Sequence, residues 1–491
     1  MNRTLKKPSL DALACVVMFG LAMVVGALLR FVRLDARSMS DDEGASWAAA
    51  SAPTLIETVR RQQFLNAGKL PVHDIVLHGW IAIFGQSLFA LRALSAFAGV
   101  ISIVLVFMSV RELFGARDEN EAPPIQPSIC DFAAALAATL FAINPRTVDA
   151  AREVRMYSLM LTFVLAQVWM LARAMRRRSI ADYGGVAIFT ALAIAANFTA
   201  SLVVMAEGIW FVVLLTARRE RFGKIVGPVV AIGAGLAILA PATVIVSHSN
   251  AQVVTEGALE WIAQPRLKSV TRFFRHGVGF AAFWTVFALG AWGVYRARRR
   301  AADPVILLVL WMLVPPIALV LISWWWRPLF VPRYAVSSVV AMVILASLGA
   351  ALAGELRTRI AAAALVVALA AIGFHSEQSR ELWIDWRNAA MVAAANVKPD
   401  ESITVAPAYA ADVVRFYLRE RGTFDIHGGE LPSVTKPRAG IFVTAEATSV
   451  PERAQVELTP LYPDIIKQLH RVSVRRSSPA AFTHAESDRE H

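Results

Sequence analysis

The sequence contains few cysteines and few charged residues for its length. Among 491 residues there are two cysteines, Cys15 and Cys130, and both stand in or beside apolar segments. A disulfide framework and a zinc site built on cysteine are therefore excluded. Charged residues make up 18% of the chain, hydrophobic residues make up 57%, and the mean hydropathy is +0.53. This balance is too apolar for a water-soluble protein of this size and predicts a membrane protein.

Several catalytic motifs are also absent from the sequence. It has no P-loop, no glycine-rich dinucleotide fingerprint after a strand, no nucleophile elbow and no HExxH motif, which argues against chemistry driven by ATP or a soluble nucleotide. The net charge of +12 would favour a nucleic-acid partner in a soluble protein. Here many Lys and Arg residues stand in short loops beside apolar runs, so membrane topology explains the charge and no nucleic acid is expected.

The apolar runs predict an α-helical polytopic membrane protein with about eleven transmembrane helices. The first run follows three basic residues and is long enough to span the bilayer, so we interpret it as a retained helix rather than a cleaved signal. The predicted spans are residues 10–29, 91–110, 131–143, 156–172, 183–197, 200–216, 225–246, 278–295, 305–323, 334–353 and 360–374.

The basic loops predict the orientation, because Lys and Arg collect on the cytoplasmic side. A cytoplasmic N-terminus puts the arginine clusters at 173–178, 218–224, 296–300 and 357–359 inside. An odd number of spans then places the chain from His375 onward outside. The sequence therefore predicts a multi-pass protein of the bacterial inner membrane with a periplasmic C-terminal part.

Three domains are predicted: a transmembrane domain at 1–374, an extracytoplasmic α/β domain at 375–476 and a disordered tail at 477–491, rich in Ser and charge. The α/β pattern consists of helical segments at 386–396 and 410–420 and extended segments at 402–406 and 440–444. The first outer loop, residues 30–90, contains amphipathic pieces at 54–64 and 75–84. These pieces predict helices that lie on the membrane surface.

An acidic cluster follows the first span in the segment Ser40-Asp41-Asp42-Glu43-Gly44. Adjacent carboxylates that repel one another at a membrane surface suit a general base or a cation site. The same residues also suit a helix cap, with Ser40 or Asp41 before Glu43 and a helix beginning at Gly44. Taken alone, the motif favours the cap slightly.

Two further outer segments carry isolated basic groups. The turn at 144–157 contains Glu153 and Tyr157 one helical turn apart, with Arg155 between them. Such charges at the start of a span require partners or a cavity, and the arginine side chain is suited to binding phosphate.

The segment at 324–334 begins with three tryptophans, which are most simply an interfacial belt. It continues to Arg327 and Arg333, which lie on the side of the membrane where the positive-inside rule disfavours basic residues. A phosphate partner would account for both arginines.

These outer segments, in this order, resemble the GT-C superfamily of membrane glycosyltransferases, specifically bacterial relatives of protein O-mannosyltransferases and aminoarabinose transferases (families 39 and 83). The resemblance covers residues 10–374. The sequence departs from the pattern of these relatives in the first outer loop, where it has Pro71-Val72-His73 and the relatives usually have Pro-Pro-Leu. The matching residues are Asp42-Glu43, Phe84-Gly85-Gln86-Ser87, Leu91-Arg92-Ala93-Leu94-Ser95-Ala96, Ala151-Arg152-Glu153-Val154-Arg155-Met156-Tyr157-Ser158-Leu159 and Pro332-Arg333-Tyr334.

The resemblance implies inverting transfer of a sugar from a polyprenyl-phosphate donor to an envelope lipid, a polysaccharide or a protein. Its implied roles make Asp42 the general base, with Glu43 or Glu153 as support. It also allows a divalent cation, Mg²⁺ or Mn²⁺, at Asp42 and Glu153, although no cofactor is certain. The residues implied for the leaving phosphate are Arg155, Arg327, Arg333, Lys69, Tyr157 and Tyr334.

Two other classes remain open from the sequence. A transporter or flippase for lipid-linked saccharides also needs many spans and phosphate-binding arginines, but it is expected to carry ionisable residues near the midplane of the bilayer. Here the charges lie mostly at span ends, with Glu207 as the main exception. The third class is a non-catalytic assembly protein of the cell envelope.

Overall fold

The computed structural model describes residues 10–66, 69–115, 123–217, 222–255, 262–379, 384–399, 401–406, 408–428, 440–445, 456–457 and 472–477. The chain divides into two compact units. We call the first the helical unit; it comprises Met1–Val32, Ala67–His73 and Arg92–Arg380. We call the second the mixed unit; it comprises Arg33–Asn66, Asp74–Leu91 and Glu381–His491.

Helices account for most of the described residues. They are α1 (Leu10–Phe31), α2 (Asp41–Ala50), α3 (Leu55–Leu65), α4 (Val72–Phe84), α5 (Leu88–Phe114), α6 (Pro127–Ala142), α7 (Pro145–Ala151), α8 (Tyr157–Arg177), α9 (Ile180–Ala196), α10 (Ser201–Thr216), α11 (Phe222–Thr255), α12 (Leu267–Gly277), α13 (Phe283–Ala297), α14 (Ala302–Trp325), α15 (Val336–Ala351), α16 (Leu356–Gln378), α17 (Trp386–Asn396) and α18 (Ala411–Leu418). Short 3₁₀ turns occupy Phe198–Ala200, Pro332–Ala335 and Ala408–Ala410.

Each of the eleven predicted spans overlaps one of these helices. Among the described residues, eight helices are long and apolar enough to cross a bilayer, and the pair α6 and α7, bent by 61°, makes a ninth if it is one span. The helix α9 is a shorter apolar helix. The protein is thus a multi-pass membrane protein, and the count of about eleven spans stays a prediction.

One predicted span begins later than the sequence suggested. The stretch 278–295 was expected to be helical throughout, but α13 starts at Phe283. Gly279 has φ +85°, and a Cβ atom built on it would lie 2.7 Å from the Cα of Gly373. The close backbone approach and the left-handed conformation end the helical geometry at this point, which hydropathy alone does not reveal.

The centre of the helical unit is α15, whose residues are all buried. It packs against α13 through glycines rather than through large side chains. A Cβ atom built on Gly349 would lie 1.8 Å from the carbonyl oxygen of Leu289, and one on Gly293 would lie 2.7 Å from that of Leu345. Small residues that let two helix backbones touch are the usual basis of helix association in a bilayer.

Replacing Gly349 with Ala is therefore expected to lower the stability of the folded protein by about 1–3 kcal/mol, because the extra methyl group overpacks a backbone contact. Thermal unfolding in detergent measures the effect. The matched control is Gly208→Ala in α10, where a Cβ atom would meet nothing within 4 Å; there alanine should be neutral or stabilising by up to about 1 kcal/mol. Equal melting temperatures for the two variants would contradict the packing argument.

The mixed unit contains a five-stranded sheet in the order β2-β1-β3-β5-β4. Its strands are β1 (Ser402–Ala406), β2 (Ile426–Gly428), β3 (Gly440–Ala445), β4 (Val456–Glu457) and β5 (Val472–Ser477). The strand β1 is parallel to β2 and β3, and β5 is antiparallel to β3 and β4. Helices and strands thus form at all four places where the C-terminal pattern predicted them.

The same unit also contains the helices α2, α3 and most of α4 from the first loop. Gly44 lies against α18, since a Cβ atom on it would be 2.6 Å from Cγ2 of Val413. The rings of Trp47 and Phe416 meet edge to face with centroids 5.2 Å apart. The predicted amphipathic pieces form helices, whereas the domain boundaries at 374 and 476 stay predictions. Residues 478–491 of the predicted tail lie outside the described residues.

Candidate functional site

The acidic cluster forms a capping box at the start of α2. The Ser40 Oγ accepts a hydrogen bond from the Glu43 backbone N–H at 3.3 Å, and the Ser40 backbone N–H donates to Glu43 Oε2 at 2.9 Å. The helix therefore begins at Asp41, three residues before the expected Gly44, and Ser40 rather than Asp41 is the N-cap. Glu43 is fully buried, so its carboxylate is committed to holding the first turn.

Asp41 and Asp42 occupy the first turn of α2 and are half-buried. A helix N-terminus stabilises carboxylates through the partial positive charge of its free N–H groups. Burial raises the pKa of the Tyr409 hydroxyl, and the negative charges of Asp41 and Asp42 raise it further. Both aspartates are thus within electrostatic reach of this exposed tyrosine.

In the helical unit, the break between α7 and α8 holds the second set of candidate residues. The Asn144 side chain caps α7 by accepting from the N–H groups of Arg146 and Thr147, and its Nδ2 donates to the Gly277 carbonyl at 2.8 Å. Arg152 Nη1 donates to the carbonyls of Leu29 and Val32 at the end of α1, at 2.7 and 3.0 Å. The turn is therefore tied to α1 and to the last residue of α12.

The sequence did not indicate Arg30, which reinforces the same turn. Its side chain is fully buried at the end of α1, donates to the carbonyls of Gly26 and Ala142 at 3.0 and 2.9 Å, and reaches Thr147 Oγ1 at 3.3 Å. Gly99 leaves room for it, since a Cβ atom there would lie 2.7 Å from the Arg30 Nε. A charged residue directly after the first apolar run was the available signal, because a charge buried at the end of a span needs partners within the protein.

The structure brings Tyr157, Arg333 and Tyr334 together. The two tyrosine rings lie 6.5 Å apart between centroids, and the guanidinium carbon of Arg333 lies 5.9 Å from the centre of the Tyr157 ring. Phe198 packs against Tyr334 with centroids 6.2 Å apart. We call Tyr157, Arg333 and Tyr334 the Tyr–Arg cluster. It places the Arg333 guanidinium over the Tyr157 ring, a cation–π contact that orients the plane of the guanidinium.

Arg155 lies beside this cluster in the chain and is 1% exposed. Its backbone carbonyl accepts from Ser95 Oγ at 3.3 Å, and Ser158 Oγ donates to the Ser95 carbonyl at 2.7 Å, so Ser95 ties α5 both to the Arg155 backbone and to the start of α8. Glu153 is half-buried in the same turn. A buried arginine in this position adds positive charge where water cannot screen it.

Arg327 and Lys69 are half-buried residues of the helical unit. Arg327 follows α14 in a loop fixed by Ser323, whose Oγ accepts from the N–H groups of Leu329 and Phe330 at 2.9 and 3.1 Å. The preceding Trp325 and Trp326 are 82% and 72% exposed, as an interfacial belt requires. Across the described ranges, no group of three or more His, Cys, Asp and Glu side chains is arranged to hold a metal ion.

Comparison with known protein families gives a partial match to the sequence. The family model for dolichyl-phosphate-mannose-protein mannosyltransferase matches residues 125–245. That segment runs from the start of α6 into α11 and contains Glu153, Arg155 and Tyr157. No curated protein sequence matches the chain.

Solved structures give a match along nearly the whole chain. ArnT from Cupriavidus metallidurans, in the apo state, aligns with a TM-score of 0.61 at 17% identity over 95% of this chain and 99% of that chain. ArnT from the same organism bound to undecaprenyl phosphate aligns with a TM-score of 0.55 at 15% identity over 95% of this chain and 98% of that chain. The apo oligosaccharyltransferase from Archaeoglobus fulgidus aligns with a TM-score of 0.56 at 12% identity over 82% of this chain and 63% of that chain.

These likenesses define the class of protein: the chain is a multi-pass membrane protein with the GT-C glycosyltransferase fold. Within that class it is most fully aligned, among the structures described above, with ArnT. The resemblance inferred from the outer-segment motifs is therefore confirmed. At these levels of identity the structural match establishes the fold, and the roles of individual residues rest on their own chemistry.

Proposed function

We propose that this protein transfers a sugar from a polyprenyl-phosphate donor to an acceptor on the outer face of the bacterial inner membrane. The Tyr–Arg cluster carries the proposal, because an arginine oriented by the Tyr157 ring, with a second tyrosine packed beside that ring, suits a lipid-linked phosphate. The solved ArnT structure with undecaprenyl phosphate supports the donor class through the shared fold. The basic loops support a cytoplasmic N-terminus and an extracytoplasmic C-terminal part.

In the proposed reaction, an acceptor hydroxyl attacks the anomeric carbon of the sugar. A bond forms from the acceptor oxygen to that carbon, the bond from the carbon to the phosphate oxygen breaks, and the configuration inverts. Asp42 accepts the hydroxyl proton as general base. Glu43 supports it by fixing the first turn of α2, and Glu153 supplies a second carboxylate. The acceptor is an envelope lipid, a polysaccharide or a protein.

The departing polyprenyl phosphate gains negative charge as the bond breaks, so cationic groups that face it stabilise the transition state more than the ground state. We assign this role to Arg155 and Arg333, with Arg327 and Lys69 as further cations. Tyr157 and Tyr334 orient the phosphate through Arg333. Asp42 and Glu153 each carry carboxylate oxygens of the kind that a hard divalent cation, Mg²⁺ or Mn²⁺, would take; no step above requires one.

The transporter alternative depends on ionisable groups within the bilayer, and Glu207 is the relevant residue. It is fully buried in α10, and its Oε2 accepts a hydrogen bond from Gln167 Nε2 at 3.0 Å. This contact fits a structural role that ties α10 to α8. It gives no support to a substrate path, so the transferase is preferred over the flippase and over a non-catalytic assembly protein.

A panel of donors tests the proposal. Protein purified in detergent is incubated with polyprenyl-phosphate sugars that differ in the sugar, together with an envelope extract as acceptor. The proposal predicts transfer from at least one donor, because catalysis needs no sealed membrane. A flippase would instead move a lipid-linked sugar across sealed proteoliposomes without consuming it. Donor movement without glycosylated product would therefore replace the transferase with the transporter.

A further inference from the structure

The mixed unit contains a cavity of about 660 Å³ that the proposed reaction does not use. Residues from the first loop and from the C-terminal segment, both within this unit, form its walls. The lining residues that matter chemically are Asp35, Gln86, Arg387, Tyr417, Arg419 and Arg421. Cavities of a few hundred cubic ångströms with a small number of fixed polar groups are typical of small-ligand sites.

Arg387 is held in a defined orientation by groups that do not neutralise it. Its Nη2 donates to the Asp35 carbonyl at 2.6 Å, and its backbone N–H donates to Ser38 Oγ at 3.0 Å. The guanidinium carbon lies 5.5 Å from the centre of the Tyr417 ring. Because a carbonyl oxygen orients the side chain without cancelling its charge, the guanidinium keeps its positive charge and has further N–H donors for a ligand.

The aromatic wall of the cavity is also fixed. The Tyr417 hydroxyl accepts a hydrogen bond from the Met39 backbone N–H at 2.6 Å. Gln86 Oε1 accepts from Trp47 Nε1 at 3.0 Å, which leaves the amide N–H₂ of Gln86 as a donor. A half-buried ring beside amide and hydroxyl groups offers both the apolar surface and the polar partners that a sugar ring requires.

Arg419 adds a second oriented cation. It donates to the carbonyls of Phe416 and Gln86, the latter at 3.1 Å, and its guanidinium carbon stands 4.0 Å from the centre of the Phe416 ring. Its carboxylate partner, Glu420 at 2.9 Å, is 79% exposed, so solvent screens that charge strongly. With Arg421 at the rim, the cavity presents three arginines against the carboxylates of Asp35 and Glu420.

We propose that this cavity binds a saccharide carrying a carboxylate or phosphate group, and that this saccharide is part of the acceptor. The arginine fork recognises a planar or tetrahedral anion through paired N–H donors. Tyr417 and Gln86 contact the sugar ring and its hydroxyls. The proposal rests on the glycosyl transfer proposed above, and it narrows the acceptor to an acidic glycan or the acidic sugar headgroup of a lipid.

Calorimetric titration of the full-length protein in detergent, without donor, tests the site. The probes are trigalacturonate, glucose 1-phosphate, neutral maltotriose and inorganic phosphate. At least one of the two anionic sugars is expected to bind at least about tenfold more tightly than maltotriose and phosphate, because charge-assisted hydrogen bonds supply the difference. Tight binding by phosphate alone, equal binding by maltotriose, or no binding of either anionic sugar would overturn the proposal.

Matched variants locate the binding. Arg387→Gln is expected to weaken the affinity for the anionic sugar about tenfold or more, and Arg421→Gln, at the exposed rim, should weaken it about threefold or more. Arg60→Gln is the control, because Arg60 is an exposed arginine of the same unit that lines a different cavity. The affinity of the Arg60→Gln variant for the anionic sugar should stay within about twofold of the wild-type affinity. Equal losses in Arg60→Gln and Arg387→Gln would show a general effect of charge and remove the site.

The titration separates this proposal from the proposed function. If the wild type transfers sugar but shows no preference for anionic saccharides, the cavity assignment fails and the transferase stands. If anionic saccharides bind and the Arg387→Gln loss is observed while no donor supports transfer, the site stands and the transferase fails.

Discussion

Replacing Asp42 with Asn is expected to lower the rate of sugar transfer by about 10²–10⁴-fold, because an amide of the same shape cannot accept the acceptor proton. The fold should be unaffected. Ser40 and Glu43 form the cap of α2, and Asp42 takes no part in the two hydrogen bonds that define it. Initial rates at saturating donor measure the effect, and thermal unfolding checks the fold.

Asp41→Asn is the matched control for this experiment. Asp41 and Asp42 share the first turn of α2 and are both half-buried, so each substitution removes one negative charge from the same place. Under the proposed mechanism, the Asp41 variant keeps its rate to within about threefold, the change expected from loss of a nearby charge. Full activity in Asp42→Asn, or equal losses in the two variants, would remove the assignment of the base.

Replacing Arg333 with Gln is expected to raise the KM for the polyprenyl-phosphate donor by about 10–100-fold, since charge-assisted hydrogen bonds contribute about 1.5–3 kcal/mol each. The turnover number should fall as well, because the same group stabilises the leaving phosphate in the transition state. Steady-state kinetics with varied donor concentration measure both constants.

Arg359→Gln provides the comparison for Arg333. Arg359 is a half-buried arginine near the start of α16 whose Nε donates to the Gly354 carbonyl at 2.8 Å in a solvent-exposed hydrogen bond, and it belongs to a predicted cytoplasmic cluster. Its substitution should leave both kinetic constants within about twofold of the wild type, as is usual for a charge near the protein surface and outside a site. An unchanged KM in Arg333→Gln would exclude this residue from phosphate binding.

Much of the helical unit could be predicted from hydropathy, because a span needs a long apolar run and little else. Where helix geometry differs from the predicted spans, the cause is local and physical. The predicted span at 131–143 belongs to a pair bent by 61°, with Pro145 at the start of α7. The span predicted to begin at residue 278 begins at Phe283, since Gly279 adopts a positive φ. A hydropathy window averages over both features.

The association of the first loop with the C-terminal segment within the mixed unit could not be predicted. The Met39 backbone N–H donates to the Tyr417 hydroxyl, and Gln86 accepts from Trp47 while its carbonyl accepts from Arg419. The contacts of Met39 with Tyr417 and of Gln86 with Arg419 join residues 378 and 333 positions apart, and periodicity carries no information about long-range pairs. The helix patterns were visible in the sequence, but the partners of the helices were not.

The candidate site was partly visible from the sequence. The spacing of Ser40 and Glu43 predicted the capping box that the structure contains. The approach of Arg333 and Tyr334 to Tyr157 depends on how α8 and α15 pack, so the motifs indicated the residues but not their contact. Arg30 was missed because a charge at the end of an apolar run resembles an ordinary span boundary.

The central claim, transfer from a polyprenyl-phosphate sugar, is tested most directly by product balance with purified protein. A donor labelled in the sugar and in the lipid is incubated with the wild type and an accepting envelope fraction. The account predicts that each labelled sugar gained by the acceptor is matched by one polyprenyl monophosphate, and that the new glycosidic bond has the inverted configuration. Intact donor after incubation with every sugar tested, or sugar transfer without release of polyprenyl phosphate, would contradict it.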